Sequence, residues 1–469
     1  MYKRLIGLTI VLTAMLGFSL FWITLNRVEI LRPPTPSHQT LFGLYSLLYS
    51  WQSPPRLILF FAIILGYMVA GVFSALELRD LNQSRRSLNS SRKPLSPGIL
   101  MAQTQGVFYG EVTITVLIPA HNEEVHLGET IKALLEQSRR PDRIIVVADN
   151  CTDDTIKIAC SFDVEVEETI GNIHKKGGAL NQVIAKILPQ LGPNDTVMIL
   201  DADSKLRQGF LAKAAQCFTD DRGLSAVGGQ FFGEHGFGFV GQLQRNEYLR
   251  YQREIARRRG RVFVLTGTAS IFRASALRSV ANARGNLIPG SNGNVYDTVA
   301  LTEDNELTIA LKSLGALMTS PSECALETEL MPTWRMLWRQ RLRWQRGAVE
   351  NISHYGVTPT TIRYWSQQLG IAYSGFALWA FFLLIFIQVI AMTQWIWYPY
   401  WLIILVLFMI ERVLTVWKGG WRARLVASLL LPELLYDSFQ DIVFLKGVLD
   451  IALGRRAHWG HHVPRNLMK

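Results

Sequence analysis

The sequence predicts an α/β domain of Rossmann-like, mostly parallel-sheet design, inserted between α-helical membrane segments at the two ends of the chain. Three observations carry this. Long apolar runs occur near both ends and are absent from the middle. In the middle, short apolar runs that read as buried strands alternate with helical patterns. Those strand candidates end in polar clusters, and in open α/β sheets ligands bind beyond the carboxyl ends of the strands.

The chain has 469 residues, of which 49% are hydrophobic. Residues 5–25 and 57–76 carry no charge and are long enough to cross roughly 30 Å of hydrocarbon. Residues 369–392 and 397–417 are long enough as well. The first run follows the basic start Met1-Tyr2-Lys3-Arg4. It is too long for a signal-peptide core and ends without a small-residue cleavage site, so it reads as a retained anchor. The resulting plan is 1–78, two membrane helices with an outer loop; 79–111, a basic linker; 112–332, the α/β domain; 333–368, amphipathic interface helices; 369–417, two more membrane helices; and 418–469, broken, re-entrant or interfacial helices with a basic tail. The last region earns its description from Pro432, Glu433, Asp437 and Asp441, which spoil a clean span.

The net charge of +11 is compatible with nucleic-acid binding, but its placement argues against it. Basic residues cluster at Arg79 to Lys93, at Trp417 to Arg424 and in the closing stretch, next to apolar segments. Such flanks mark the cytoplasmic side. The α/β domain is therefore expected in the cytoplasm, in a multi-pass protein of the bacterial plasma membrane, with the lipid bilayer as a partner and no nucleic acid. Loop 27–56 lies outside and has little of its own to pack. The four cysteines, Cys151, Cys160, Cys217 and Cys324, all lie in the central domain without metal-ligand spacing, which suits a reduced compartment. Oligomeric state and accessory subunits are not legible.

Within the central domain, "VTITVLIPAHNEE" reads as a strand stopped near Pro119, followed by an amphipathic helix bearing Leu127, Ile131, Leu134 and Leu135. "DRIIVVADN" is a second strand ending in Asp149, and a helix follows with Asp153 and Asp154 in its first turn, where they complement the dipole. "VEVEET" is a third strand, and "KKGGALNQVIAKI" a Gly-led helix. "DTVMIL" is a fourth, ending in Asp201-Ala202-Asp203. Four polar clusters then meet at one edge: Ala120-His121-Asn122-Glu123, Asp149-Asn150, Lys175-Lys176-Gly177-Gly178, and the two aspartates.

Each cluster has an ordinary explanation beside a chemical one. Two carboxylates one residue apart point the same way on an extended chain and repel unless a positive charge sits near them. Alone, such a pair is more often a turn; as a site it suits Mg2+ or Mn2+, which binds one or two carboxylates plus substrate phosphates. Glu303 and Asp304 open a helix after Thr302, a good N-cap residue. Alone they are a charged first turn; facing a cleft, Asp304 is a general base. "TWRMLWRQRLRWQRG" places Trp334, Trp338 and Leu342 on one helical stripe and Arg335, Arg339 and Arg343 on the next. Aromatics beside arginines suit a membrane boundary, but Gln340, Arg341 and Trp344 amid the stripes suit a diphosphate. "VLTGTASIFRASAL" reads as a strand, a break at Gly267 and a second strand. "GEHGFGFVGQLQ" lacks the spacing of a nucleotide fingerprint.

The ordered set "IPAHNEE", "ADNCTDD", "KKGGALN", "DADS", "TGTASIFR", "TED" and "QRLRW" resembles the family-2 inverting glycosyltransferases of GT-A fold, and more narrowly the membrane-embedded cellulose, chitin, hyaluronan and poly-N-acetylglucosamine synthases. The resemblance spans about residues 112–350. It implies that Ala120, His121, Glu123 and Asp149 hold the nucleoside, that Lys176 lies near the nucleotide, and that Asp203 binds the metal with Asp201 nearer the ribose. It further implies that Asp304, next to Glu303, is the catalytic base. Gln340, Arg341, Arg343 and Trp344 would close over the pyrophosphate, with Trp344, Gly267 and Thr268 toward the acceptor. The implied partners are a UDP-sugar donor, a glycan or lipid acceptor and Mg2+ or Mn2+. The implied reaction is a single inverting displacement that makes a β-linkage. Four clear spans are fewer than cellulose synthases carry. Three readings stay open: a processive polysaccharide synthase, a single-addition enzyme acting on a lipid-like acceptor, and a non-catalytic scaffold on a glycosyltransferase frame.

Overall fold

The computed structural model describes residues 39–41, 45–49, 64, 71, 110–258, 260, 262–391, 395–397 and 399–455. The expected membrane segment at 5–25, all but two residues of that at 57–76, almost all of the linker and the tail beyond 455 lie outside the described residues. The chain divides into two compact units, residues 1–85 with 376–412 and residues 86–375 with 413–469.

In the first unit, strands β1 (Gln39–Leu41) and β2 (Tyr45–Tyr49) form an antiparallel hairpin. Loop 27–56 therefore carries pairing of its own, contrary to expectation.

In the second unit, the central sheet contains β3 (Thr113–Ala120), β4 (Arg143–Ala148), β5 (Glu165–Glu168) and β6 (Asp195–Leu200). These four are parallel, with β3 between β4 and β6. β7 (Ser204–Leu206) leaves this sheet. β8 (Leu224–Gly228), β10 (Ala269–Arg273) and β11 (Leu317–Thr319) extend it to seven strands in the order β11-β8-β10-β6-β3-β4-β5. β10 runs antiparallel to both neighbours, so the sheet is mixed. β9 (Gln230–Gly233) and β12 (Ala325–Thr328) join β7 in a second, three-stranded sheet with β12 central.

The helices between strands are α1 (Leu127–Leu135), α2 (Thr155–Cys160), α3 (Lys175–Ile187), α4 (Phe210–Asp220), α5 (Gly238–Arg257), α6 (Ala274–Ala283) and α7 (Glu303–Ser313). Each covered strand reads as an unbroken apolar run because both sheet faces are covered. One face meets Leu180, Val183 and Ile184 of α3 and Leu277 and Val280 of α6. The other meets Leu127 and Ile131 of α1 and Phe210 and Phe218 of α4. Each fully buried Leu, Ile or Phe contributes about 1.5–3 kcal/mol.

Two local expectations change. Asp153 and Asp154 precede α2 rather than opening it, and the Asp153 carboxylate accepts from the Thr155 N–H and hydroxyl at 3.0 and 2.5 Å, capping the helix from outside. The stretch before Gly267 is loop, so "VLTGTASIFR" contains one strand, β10, because Thr266 to Thr268 turn instead of pairing.

Helix α8 (Trp334–Tyr355) follows β12, and Thr333 caps it by accepting from the Met336 N–H. Then come α9 (Ile362–Ala391) and α10 (Pro399–Thr415). Within Ile362–Phe386 an 18-residue stretch has mean hydropathy 2.1 and is almost wholly unburied, which makes this the one described helix that is a span by length and composition. α10 has 17 residues, short of the 397–417 span expected. Between them β13 (Trp395–Trp397) pairs parallel with β2. α11 (Gly420–Ser428) and α12 (Leu431–Ala452) close the second unit, where α12 packs along α8.

A buried ion pair pins the frame beneath α7. Arg284 and Glu306 are essentially inaccessible and pair in a fork, with the second bond at 2.7 Å. Arg284 also donates to the carbonyls of Pro289 and Val295, and the Tyr355 hydroxyl donates to Glu306 at 2.5 Å. Removing one member strands the other charge. Glu306→Ala should therefore destabilise the protein by about 3–5 kcal/mol in denaturant unfolding; a loss below about 1 kcal/mol would contradict this account of the pair.

Candidate active site

The site is assembled at the carboxyl ends of β3, β4 and β6. Three strand-to-helix turns enter it, each through a residue with positive φ: Asn122 at 58°, Asn150 at 50° and Lys175 at 55°. Asparagine tolerates this region; lysine does so at a cost, and strain of this kind gathers at functional sites.

At the β3 and β4 ends, His121 Nδ1 lies 2.5 Å from the Asp149 carbonyl oxygen, and the Asp149 N–H donates to the Ala120 carbonyl at 2.8 Å. Asp149 Oδ1 accepts from Asn150, Thr169 and Asn172 at 3.0, 2.7 and 2.8 Å. The carboxylate is buried and aimed by three neutral donors. The backbone N–H of Glu123 donates to the Thr155 hydroxyl at 2.8 Å, which sets that loop against α2.

At the β6 end, the first positive charge beside the aspartate pair belongs to the protein. Lys176 Nζ donates to Asp201 Oδ1 at 2.5 Å and to the Gly267 carbonyl at 3.2 Å, and lies 3.5 Å from Glu303. Burial works against its charge, but Asp201 and Glu303 outweigh burial and hold its pKa above the usual lysine value. Lys176 thus joins the aspartate pair to the start of α7.

One lysine does not balance the carboxylates. Burial, with Asp203 and Asp201 nearby, pushes Glu123 up to about 8. Burial pushes Asp201 up to about 6, with Asp203 adding to it against the pull of Lys176. Asp203 is raised by burial and by Glu329, against a bond from the Ser204 hydroxyl. Negative charge is left over around Asp203. Among the described residues no three His, Cys, Asp or Glu side chains are spaced to cage a metal. A carboxylate pair without a cage is the donor set of a cation that completes its shell with water and substrate oxygens. Asp203 and Asp201 fit that description.

Asp304 is the second residue of α7, and its Oδ2 accepts from the Gly267 N–H at 3.1 Å. A Cβ on Gly267 would lie 3.0 Å from that oxygen, so the absence of a side chain here lets the backbone approach the Asp304 carboxylate. Burial and Glu303 push Asp304 up to about 6, while Lys176 and Arg343 oppose them. Lys176, Gly267, Tyr296, Glu303 and Asp304 line one cavity. Thr268 accepts at its carbonyl from the Asp201 N–H at 2.9 Å, so the Gly267-Thr268 turn touches both acidic motifs.

Helix α8 is clasped to α7. Asn351 Nδ2 donates to the Thr302 carbonyl and hydroxyl at 3.0 and 3.1 Å. Thr302 is the N-cap residue as expected, but its hydroxyl serves this clasp instead of the helix N–H groups. A Cβ on Gly347 would fall 2.5 Å from the Thr302 hydroxyl, so only glycine lets the helices approach this closely. Arg343 then acts on both Asp304 and Lys175. Arg341 does not face the cleft. It is buried, donates to Glu247 of α5 at 3.0 Å and stacks on the Trp344 ring at 4.2 Å. Residues two apart on a helix differ by about 200°, so Arg341 and Arg343 point opposite ways. Trp334 and Trp338 pack on Phe439 of α12 at 5.1 and 5.7 Å, so that stripe meets a helix. Gln340 keeps a buried Oε1 with no hydrogen-bond partner among the described residues.

Sequence reasoning missed Tyr296, Glu329, Asn172 and Glu247. None lies in a spaced motif. Only Asn172, three residues before the Lys175-Lys176 pair, sits close enough to a quoted motif to have been considered.

Residues 112–347 match the family described as Glycosyltransferase like family 2. The "Probable glycosyltransferase YdaM" of Bacillus subtilis (strain 168) is 29% identical over 248 residues, 50% of this chain and 54% of that protein. Poly-beta-1,6-N-acetyl-D-glucosamine synthase of Staphylococcus aureus is 26% identical over 305 residues, 62% of this chain and 65% of that protein. The chain thus spans between about half and two thirds of the length of these relatives. A mannosyltransferase from Pyrobaculum calidifontis, solved in complex with GDP-Man and Mn2+, aligns with a TM-score of 0.49 at 14% identity, over 84% of this chain and 99% of that one.

The charge imbalance is open to test without any substrate. A carboxylate whose folded pKa is raised costs stability above its unfolded pKa, so neutralising it should stabilise the protein at neutral pH. Asp203→Asn, in EDTA, should raise the unfolding midpoint by roughly 2–4 °C. A lower midpoint would show that Asp203 is already compensated.

Proposed function

The chain belongs to the Glycosyltransferase like family 2, and on that premise we propose that it is an inverting, UDP-sugar-dependent hexosyltransferase that forms β-glycosidic linkages at the cytoplasmic membrane face. In this reading it is a processive polysaccharide synthase. One observation carries the proposal: Asp201, Lys176, Glu303, Gly267 and Asp304 form one contact chain at the strand ends, with Asp203 beside it in surplus negative charge.

The roles follow from that geometry. Asp149, held by three donors, and His121 and Glu123 beside it receive the nucleoside. Asp203, with Asp201, would hold Mg2+ or Mn2+, which supplies charge neutralisation at the donor diphosphate. Arg343 brings a fixed guanidinium to the same region, where preorganised charge favours the departing anion. Lys176 keeps Asp201 ionised and in place. Asp304 takes the proton of the acceptor hydroxyl as that oxygen attacks the anomeric carbon from the face opposite the leaving group. The glycosidic bond forms as the bond to the diphosphate breaks, and the centre inverts. The Gly267 N–H steadies Asp304, with Gly267 and Thr268 on the acceptor side.

Membrane seating has its own support. α11 and α12 wear their apolar sides outward: Trp421 and Leu425 of α11 are exposed, with Trp417 before it and Leu429 just after it, and Leu431, Leu435, Ile442, Leu445 and Leu449 are exposed in one stripe of α12. Glu433 and Tyr436 of α12 are buried. Arg424 and Arg422 lie over the Trp417 and Trp421 rings. This is the composition of helices in the plane of an interface. The pairing of β2 with β13 favours one side of the membrane for loop 27–56 and the turn between α9 and α10, as the expected topology requires.

Asp304→Asn should lower transfer by about 10²–10⁴-fold with folding intact. EDTA should abolish UDP release by wild type; activity persisting in EDTA would remove the metal from the reading. Because the base works deprotonated and burial raises its pKa, kcat/KM should climb as pH rises through about 6. A profile flat across that region would argue against Asp304 as the base. Labelled product run on a gel separates long polymer from the single-addition alternative on a lipid acceptor.

A further inference from the structure

We propose that Glu247 and Tyr436 are positioning residues that hold the Trp344 ring at the acceptor end of the cleft, acting through Arg341. This rests on the glycosyltransferase reading proposed above, together with the acceptor-side place for Trp344 that the resemblance of the QRLRW motif implies. Arg341 is 3% exposed, and its guanidinium carbon lies over the Trp344 ring, 4.2 Å from the centroid. A charged plane against an indole face is a favourable contact, stronger when desolvated. The guanidinium is held in turn by Glu247, whose Oε2 accepts from Arg341 at 3.0 Å and from the Tyr436 hydroxyl at 2.6 Å. Gln440, one turn beyond Tyr436, donates to the same carboxylate oxygen at 3.3 Å and to the Tyr436 hydroxyl at 3.2 Å. Glu247 and Tyr248 of α5, Trp344 of α8 and Tyr436 and Gln440 of α12 thus surround one arginine, with Tyr248 presenting its ring at 5.8 Å.

The brace is anchored at a second point. Glu433, one turn before Tyr436 on the same face of α12, is buried and pairs with Arg250 of α5, and Asn246 donates to it at 3.1 Å. α5 therefore presents Asn246, Glu247 and Arg250 to α12. Of the acidic residues of α12, Glu433 is spent inside the protein on α5, and Asp450 pairs with Lys446 and Arg455. Every charge in the brace has a partner, as buried charges require. The guanidinium fixes Trp344 without touching Asp203 or Asp304, so it can set where the ring stands while leaving the donor-side groups alone.

The test uses full-length protein in bilayer nanodiscs. Tyr436→Phe removes the two hydrogen bonds of the hydroxyl, to Glu247 and from Gln440, and no charge, and Glu247→Gln removes the charge. Both should raise acceptor KM or lower kcat by about tenfold while donor KM stays near wild type. In a Trp344→Phe background the Tyr436→Phe loss should disappear, because its route runs through that ring. Equal losses in both backgrounds, or a loss confined to donor KM, would overturn the proposal. Amide exchange in residues 338–347, read without substrate, separates this failure from failure of the functional reading. The brace predicts faster exchange there in Tyr436→Phe at an unchanged unfolding temperature. Unchanged exchange overturns the brace even if the wild type is fully active. A wild type that turns over no nucleotide sugar overturns the functional reading, and the exchange result still decides the brace.

Discussion

The architecture turns on excess negative charge held at the ends of buried strands. Asp201, Asp203, Glu123, Glu303 and Asp304 gather there, and Lys176 is the cation in direct contact with two of them. Apolar strands packed on both faces cannot relax to spread such groups apart. The sheet supplies rigidity, the strand ends supply placement, and the repulsion that remains is a standing demand for a cation. The left-handed backbone at Lys175 is tolerated because it delivers Lys176 into that field.

The second dependency is the clasp between α7 and α8. Gly347 and Asn351 bring α8 onto Thr302, the residue that opens α7. One contact therefore aligns a general-base candidate with an arginine forty residues away in sequence. The helix then divides its arginines by direction: Arg343 toward the acidic field, Arg341 into a buried network with α5 and α12. A short motif with two arginines in five residues thus does two different jobs.

Much of this was legible from residues alone. The strands β3, β4 and β6 were visible because both faces are buried and the run is unbroken. The clusters at their ends followed from topology, and Asp304 from its place at a helix start. What stayed hidden depended on contacts between distant segments. Arg341 was read toward the diphosphate because its neighbours are; the side it faces is set by Glu247, which no spacing connects to it. The helical pattern at Leu431 to Ala452 was confusing for a related reason. Its acidic residues were scored against a membrane, whereas Glu433 points into protein and the leucines point out. β10 was read with a partner strand before Gly267 because apolar, β-branched residues continue there, yet the hydroxyls of Thr266 and Thr268 bond to each other and turn the chain.

The clasp also says which parts of the chain can change length. The distance between Asp304 and Arg343 is set where two helices touch, and the segment that joins them, through β11 and β12, runs elsewhere. Residues added to the turns of that segment leave the pair in register. One residue added between Arg343 and Gly347 would swing the arginine by about 100° and exchange its direction for that of a neighbour. Divergent relatives of such a chain would be free to vary in the connecting turns and bound to an invariant count inside the helix.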